Sequence, residues 1–490
     1  MAKTDTARLA LAKARFKLCE EVDHDQRAQE QSDLQFYNGD QWDPLVAAAR
    51  GGQPANTVAG LPPVPARPTY VVNKVKEPVR QVLNQERQAD FGIELVAADD
   101  FGGLTEPDPK NEDEIELREG LVRRIQRESE AADARTWAFD RAVKAGRGFY
   151  AVMTRYVHGK SFDKEIYIHR FYNQATVYLD PAHEQPDGSD ARYAFIGVDM
   201  PLEKYEAEFG KNRVSRATTD ADWRGLMDDA PGWFKTDGEV RAVRVVDYFY
   251  TVDESRTLCL FADGSTAWKD ELADSQSPID EREVVEQTIK WCKIDGVQIL
   301  DETDWEGPDL PIVKVLGEEV QPYDQKRRAN GMVRSARDSQ MGFNSMVSKL
   351  VEMVGLAPLP PFQAAEGTWE KYAAFYQQAN TRTIPVLPYS PYDLRDNPAP
   401  MPTRTDVNVP IQPIAVSIQM FDESIQSTTG VGDPQLGKTD PSVKSGRAID
   451  LLRKQSQQGT SHFLDNLRRS IRYEGQIINN LLYPIYGTRP

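Results

Sequence analysis

The chain has 490 residues, more than one ordinary core accommodates, so two or more structural regions are expected. Hydrophobic residues at 40% and charged residues at 28% are a folded composition, while 32 Pro and 32 Gly promise many irregular connections. A formal charge of −17 disfavours a protein that wraps nucleic acid, because neutralising phosphate needs an excess of Lys and Arg; it suits a surface past which DNA slides, or plain solubility.

The first twenty residues interleave charge with apolar side chains and lack the apolar core of a signal peptide, so a cytoplasmic chain is expected. No run of about 18 apolar residues exists to span a bilayer. Residues 5–38 read as a polar helix ending at Asn38-Gly39, a pair suited to the left-handed conformation at a helix C-terminus. A Gly-, Ala- and Pro-rich loop follows over 44–70, and Val75, Val79, Val82 and Leu83 suggest another helix. One long helix is expected from about 112 to 145, stopped by Gly146 and Gly148.

The pattern then turns to strands at 149–156, 165–171 and 175–179. A second β-rich block spans 240–316, in which Trp291–Ile294 and Val297–Leu300 flank Asp295-Gly296, a favoured two-residue hairpin turn. Beyond it Val333, Ala336, Gln340, Phe343, Val347, Leu350 and Val354 recur three and four apart, one seam of a helix that Pro358, Pro360 and Pro361 prevent from continuing. Ile411, Ile414, Ile418, Phe421 and Ile425 form a second stripe, and Phe463, Leu467, Ile471, Ile478 and Leu482 a third. Such stripes serve packing within one subunit and between copies alike.

Gly432 to Thr439 matches the phosphate-loop pattern G-x-x-x-x-G-K-[ST] letter for letter. That chemistry needs a strand feeding the loop and a helix starting at the Lys-Thr pair. The preceding residues have helical period and Asp440-Pro441 follows at once, so a loop between helices is the reading preferred here. The five His show no i,i+4 pairing and no G-x-S-x-G elbow occurs. Asp180, Glu184, Asp187 and Asp190 match no calcium loop, and Cys19, Cys259 and Cys292 fit neither a disulfide framework nor a zinc site. No catalytic residue, metal or cofactor is expected, and buried, reduced thiols are.

Three stretches carry a resemblance. They are Phe36–Trp42 with Arg67-Pro68-Thr69 and Asn73; Leu310–Gly317 with Gly331–Arg334, Asp338-Ser339-Gln340, Asn344 and Ser348; and Ile425–Gly430 with Leu436-Gly437, Ser445–Ile449 and Phe463–Leu467. Together they resemble the portal proteins of short-tailed bacteriophages, the head-to-tail connectors of the capsid. The resemblance implies an α+β, mainly helical subunit with wing, stem, clip and truncated crown regions, since family members usually continue beyond the point where this chain stops. Its regions would be an N-terminal wing over 1–239, a clip-like β-rich region over 240–330, a stem helix over 331–356 and a segment returning to the wing over 357–410. A channel helix over 411–429, a tunnel loop over 430–445 and a helix leading towards the crown over 446–490 would follow.

The same resemblance implies a homo-oligomeric ring of twelve subunits at one capsid vertex, assembled in the host cytoplasm and carried in the virion. Its partners would be the terminase, the major capsid and scaffolding proteins, a tail adaptor and double-stranded DNA. The tunnel loop would hold Gly430, Gly432, Leu436 and Gly437, with Lys438, Lys444 and Arg447 making transient phosphate contacts, and stem packing would use Val333, Gln340, Phe343, Val347 and Leu350. The alternatives are a phosphate-loop NTPase of the packaging motor and an adaptor or scaffold without a DNA channel.

Overall fold

A computed structural model describes residues 3–51, 67–89, 91–96, 109–210, 235–236, 239–240, 242–261, 266–269, 278–295, 297–322, 326–355, 362–379, 384–395, 397–404, 411–432 and 458–487. Two compact units divide the chain: Met1–Asn38, Val75–Ser335 and Thr429–Pro490 form the first, Gly39–Lys74 and Ala336–Thr428 the second. No helix among the described residues is long and apolar enough to cross a membrane.

The first unit is organised by α1 (Lys3–Asn38). Its buried positions Leu9, Ala12, Phe16, Cys19, Gln26, Glu30, Asp33 and Tyr37, with Asp23 half-buried between, step alternately by three and four residues. That spacing keeps one seam facing inward over the whole helix. The first half of the seam is apolar and the second half polar or charged, so the helix reads as polar although it is a core element. Gly39, at φ +127°, ends it as expected.

The apolar half packs on a mixed-length antiparallel sheet. β3 (Val177–Leu179), β4 (Tyr193–Pro201), β7 (Ala242–Leu260), β9 (Asp280–Ile294) and β10 (Ile299–Asp304) lie in the order β10-β9-β7-β4-β3, with β8 (Thr266–Trp268) beside β7. Strand alternation assigns the faces. Tyr193, Phe195, Val246, Tyr248, Cys292 and Ile294 meet Leu9, Phe16 and Cys19 of α1. Ala194, Ile196, Phe249 and Ile289 point the other way, onto Phe149, Ala151 and Ile312. Those belong to a second sheet, β1 (Arg147–Tyr156), β2 (Lys164–Arg170) and β11 (Ile312–Leu316), in the order β11-β1-β2. Two small hairpins, β5 (Lys235–Thr236) with β6 (Glu239–Val240) and β12 (Glu318–Val320) with β13 (Arg328–Asn330), complete the strands among the described residues of this unit.

Beyond Tyr250, where β4 ends its pairing, β7 and β9 continue together as a ribbon to Leu260 and Asp280. The expected boundary at 239/240 therefore falls between strands of one sheet, and β11, expected within the β-rich block, pairs instead with β1. The hairpin at 291–300 forms with a different turn. Ile294 pairs with Ile299, not Val297, because the Asp295 carboxylate accepts the Val297 and Gln298 amides and Asp295 N donates to Gln298 O, closing a wider loop.

Helices α2 (Pro44–Arg50), α3 (Lys76–Gln88), α4 (Pro109–Glu128), α5 (Ala131–Ala145) and α6 (Leu202–Phe209) fill the N-terminal half. The long helix expected over 112–145 is thus two helices, broken where Glu130 takes a left-handed conformation at φ 51°. Three helices carry the predicted stripes: α7 (Met332–Gly355), α9 (Ile411–Thr429) and α10 (Ser461–Tyr486), with the short α8 (Ala373–Gln378) between the first two. The α10 stripe is entirely buried, with Phe463, Leu467, Ile471, Ile478 and Leu482 all 5% exposed or less. On the same helix Glu474, fully buried, accepts from Nε and Nη2 of Arg135 at 2.8 and 2.6 Å and from Tyr150 OH at 2.9 Å, tying α10 to α5 and β1.

In the second unit, α7 and α9 meet where Gly342 faces the ring of Phe421 and Ser339 bonds Ser424. A Cβ at Gly342 would lie 2.4 Å from that ring. The hairpin β14 (Phe362–Gln363) with β15 (Thr403–Arg404) also belongs to it.

Removing one side of the buried Arg135–Glu474 pair strands a charge in low dielectric. Arg135→Met is expected to destabilise the first unit by about 3–5 kcal/mol, and Arg135→Met with Glu474→Gln to recover part of that loss. Denaturant unfolding of the three proteins checks it; equal midpoints for wild type and Arg135→Met would refute it.

Candidate functional site

Polar side chains are concentrated at three places, one in the second unit and two in the first. In the second unit, one row of α7 carries Gln340, Asn344, Ser348 and Glu352, four residues apart and 9% exposed or less. Residues 67–74 run beside them as an extended segment with no partner strand among the described residues. Lys74 N donates to Gln340 Oε1 at 2.9 Å, Val72 N to Asn344 Oδ1 at 3.0 Å and Tyr70 N to Ser348 Oγ at 2.9 Å. Gln340 Nε2 returns a bond to Val72 O, and Asn344 Nδ2 donates to Gln41. Arg50 and Arg67 close the row on Glu352 at 3.2 and 3.6 Å.

The match is geometric. Four helical residues rise about 6 Å and two extended residues about 6.6 Å, so every second amide meets every fourth side chain. Two of the stretches singled out in the sequence, 67–73 and 338–348, are thereby brought together. Gln340 acts here as a hydrogen-bonding residue, while Phe343 is buried and Val347 and Leu350 are half-buried. Val333 is fully buried at the start of α7, in the first unit.

In the first unit, the charged half of the α1 seam meets α5, β1, β11 and β13. Arg147 gives Nε to Glu30 at 2.6 Å and Nη1 to both oxygens of Asp23 at 3.1 Å. Arg141 adds a second cation to Glu30 at 3.1 Å, and Arg27 spans from Asp23 to the Ala175 and Val177 carbonyls with its guanidinium over the Tyr178 ring. Burial opposes ionisation of Asp23 and Glu30, yet Arg147, with Arg27 and Arg141 beside it, holds both carboxyls below their ordinary range. Gln26 bonds both backbone groups of Ala329, and Arg334 bonds Asp33.

Behind Arg147, Lys314 on β11 lies with Nζ 2.9 Å from His183 Nε2. His183 Nδ1 is 2.5 Å from the Asp180 carbonyl, which only accepts, so the ring proton sits on Nδ1 and Nε2 is free to accept from Lys314. Burial, with Lys314 adjacent, pushes the imidazole down to about 3. Burial, reinforced by Arg147 and Arg327, pushes Lys314 down to about 7.

The third place is the pair of ends of the segment 433–457, which lies outside the described residues along with Leu436, Gly437, Lys438, Lys444 and Arg447. Gly430, at φ +68°, caps α9, and its carbonyl lies so near Gly459 that a Cβ there would be 2.9 Å away. The segment thus departs and returns at one point of the first unit, flanked by the buried Thr429, Val431 and Thr460. The phosphate-loop string begins at Gly432 after the helix α9, not after a strand, as its periodicity indicated.

Other sequence candidates are accounted for locally. The carboxylates of Asp180, Asp187 and Asp190 accept backbone N–H groups of their own turn. Among the described residues no three His, Cys, Asp or Glu side chains are grouped to hold a metal ion. Cys19, Cys259 and Cys292 are free and buried, and burial raises Cys292 to about 11. The α1 network went unread because charged side chains on a helix look like a solvated face, and only their heptad step betrays them.

The model of the phage P22-like portal protein family matches residues 13–489. The chain belongs to that family. A curated relative, the portal protein of Acyrthosiphon pisum secondary endosymbiont phage 1, is 25% identical over 444 residues, 86% of this chain and 59% of the relative. The chain therefore spans about three fifths of the length of that portal protein.

Two measurements probe the site. Asn344→Ala strips the Val72 amide of its acceptor, and hydrogen exchange at Val72 and Lys74 is expected to quicken by about 10–100-fold, with distant α10 amides unchanged. His183 stays neutral in the folded chain down to about pH 3 but takes a proton near 6.5 once unfolded, so the unfolded state binds more protons between those values. Stability is then lost as pH falls from 6.5 towards 3, and His183→Gln, which keeps an acceptor for Lys314, should flatten that slope in denaturant titrations.

Proposed function

We propose that the chain is a structural portal subunit that guides double-stranded DNA through a capsid vertex and has no catalytic site of its own. The observation that carries this reading is the family match over nearly the whole chain. In it, twelve copies form a ring, α9 and α10 face its upper channel, and α7 is the stem. The ribbon of β7 and β9 beyond Tyr250 is the surface offered to the terminase during packaging and to a tail adaptor afterwards. Capsid and scaffolding proteins hold the ring in the shell.

The partial exposure of the α9 stripe supports a ring. Ile425 is buried but Ile411 is 47% exposed, as are the neighbouring Val416 and Met420 at 56% and 64%, so a face of this helix is left for a neighbouring copy. The segment 433–457 supports the DNA contact by charge. It carries Lys438, Lys444, Arg447, Arg453 and Lys454 against Asp433, Asp440 and Asp450, a basic excess in a chain of net charge −17. A few such cations per subunit give weak, salt-sensitive phosphate contacts that let DNA move.

Particle imaging of the full chain is expected to give a twelvefold ring with a hole wide enough for duplex DNA, and a closed monomer would sink the proposal. Within assembled heads, Lys438→Ala with Lys444→Ala is expected to reduce DNA retention, most at low salt where phosphate contacts are strongest.

A further inference from the structure

One cavity of the first unit, about 40 Å³, lies beneath the charged half of α1. Space of that size holds two or three waters or one small ion. Its wall carries Arg147, Lys314, Arg327 and Arg328 against Asp23 and Glu319, with His183 between. Positive charge is in excess there, opposite to the chain as a whole.

Of the carboxylates around Lys314, Glu319 on the cavity wall is exposed, and the others are already committed. Asp23 accepts from Arg147 with both oxygens, and Glu30 behind it takes Arg147, Arg141 and Gln26. Asp190 accepts the Glu184 and Gln185 amides, and Asp180 those of Ala182 and Arg192. Lys314 is 3% exposed and gives one hydrogen to His183 Nε2. An ammonium group has three, and a buried donor left without an acceptor costs free energy. His183 cannot supply more, because its other nitrogen is held by the Asp180 carbonyl.

We propose that this cavity is a binding site for one small inorganic monoanion, chloride being the biological one, with Lys314 as its principal ligand and Arg147 and Arg327 completing the positive wall. An anion beside Nζ accepts the unused ammonium hydrogens and balances the excess charge where water only solvates it. Halides fit better than a divalent oxyanion, because Asp23 and Glu319 on the same wall repel a second negative charge.

Binding is coupled to a proton. Burial and the two guanidinium groups push Lys314 down to about 7, so without a counter-ion it passes from ammonium to neutral amine around that pH. The anion binds the protonated form, so its affinity is full below that value and falls as pH rises through it. Glu30, Arg27 and Arg141 stay paired on the α1 and α5 side over this range, and His183 stays neutral, so Lys314 is the group that carries the dependence.

The test compares thermal unfolding of the full chain in sodium chloride and in sodium gluconate of equal ionic strength, gluconate being too large for the cavity. At pH 6 chloride is expected to raise the midpoint by ~2 °C. The difference should shrink by pH 8.5 and be absent in Lys314→Met. Diffraction from wild-type crystals in bromide is expected to place an anomalous peak beside Lys314 Nζ, a result that stands even if the variant fails to fold. Equal midpoints in the two salts at pH 6, or a bromide-free cavity holding only water, would overturn the proposal.

Discussion

The fold of the first unit depends on what is done with Arg147. Its guanidinium sits at the base of β1, buried with carboxylates that arrive from one helix, Asp23 and Glu30, seven residues apart on a single seam. Desolvating such a group costs several kcal/mol, which the pairing offsets only when geometry is good and all the remaining donors are met. Here the bonds are short and both carboxylates come from α1, so α1 has one depth and one rotation at which its second half can be buried. Apolar packing against Phe195 and Tyr248 fixes the first half of α1, but apolar contacts tolerate sliding that a two-carboxylate clamp does not.

The second unit solves a related problem with neutral groups. Residues 67–74 are extended but have no neighbouring strand among the described residues, and buried backbone amides need acceptors. The side chains of Gln340, Asn344 and Ser348 supply the edge that a strand would have offered. A helix can do this because its four-residue repeat and the two-residue repeat of a strand nearly coincide in length. Over three rungs, which are two steps, the mismatch grows to about 1.2 Å, which limits such a ladder to a short segment.

These two devices explain which parts of the structure were legible in the sequence. The buried stripe of α10 was plain, because Phe463, Leu467 and Ile471 are apolar and nothing competes for the face. The α1 seam was not, since Asp23, Glu30 and Asp33 are the residues a solvated surface also carries. The same ambiguity placed Gln340 in the packing seam of α7, when its hydrogen bonds put it in the row of Asn344, Ser348 and Glu352. The break between α4 and α5 had no local signal, because Glu130 adopts a conformation usually left to Gly or Asn. The turn at Asp295 followed the side chain of Asp295 and not the dipeptide rule, and the pairing of β4 with β7 is a long-range choice that no local pattern encodes.

Where the functional reading is concerned, the contact between Gly430 and Gly459 matters more than the phosphate-loop string beside it. Two glycines allow the chain on either side of residues 433–457 to approach backbone to backbone, a distance that any side chain at Gly459 would increase. Closing a loop costs entropy that grows only as the logarithm of its length, so once the ends are held, the length between them is set by reach and not by stability. The residues flanking the contact, Thr429, Val431 and Thr460, are buried in the first unit, which holds the contact firmly. A phosphate-binding loop needs a strand behind it as well as glycines within it, and the helix α9 stands in that place instead.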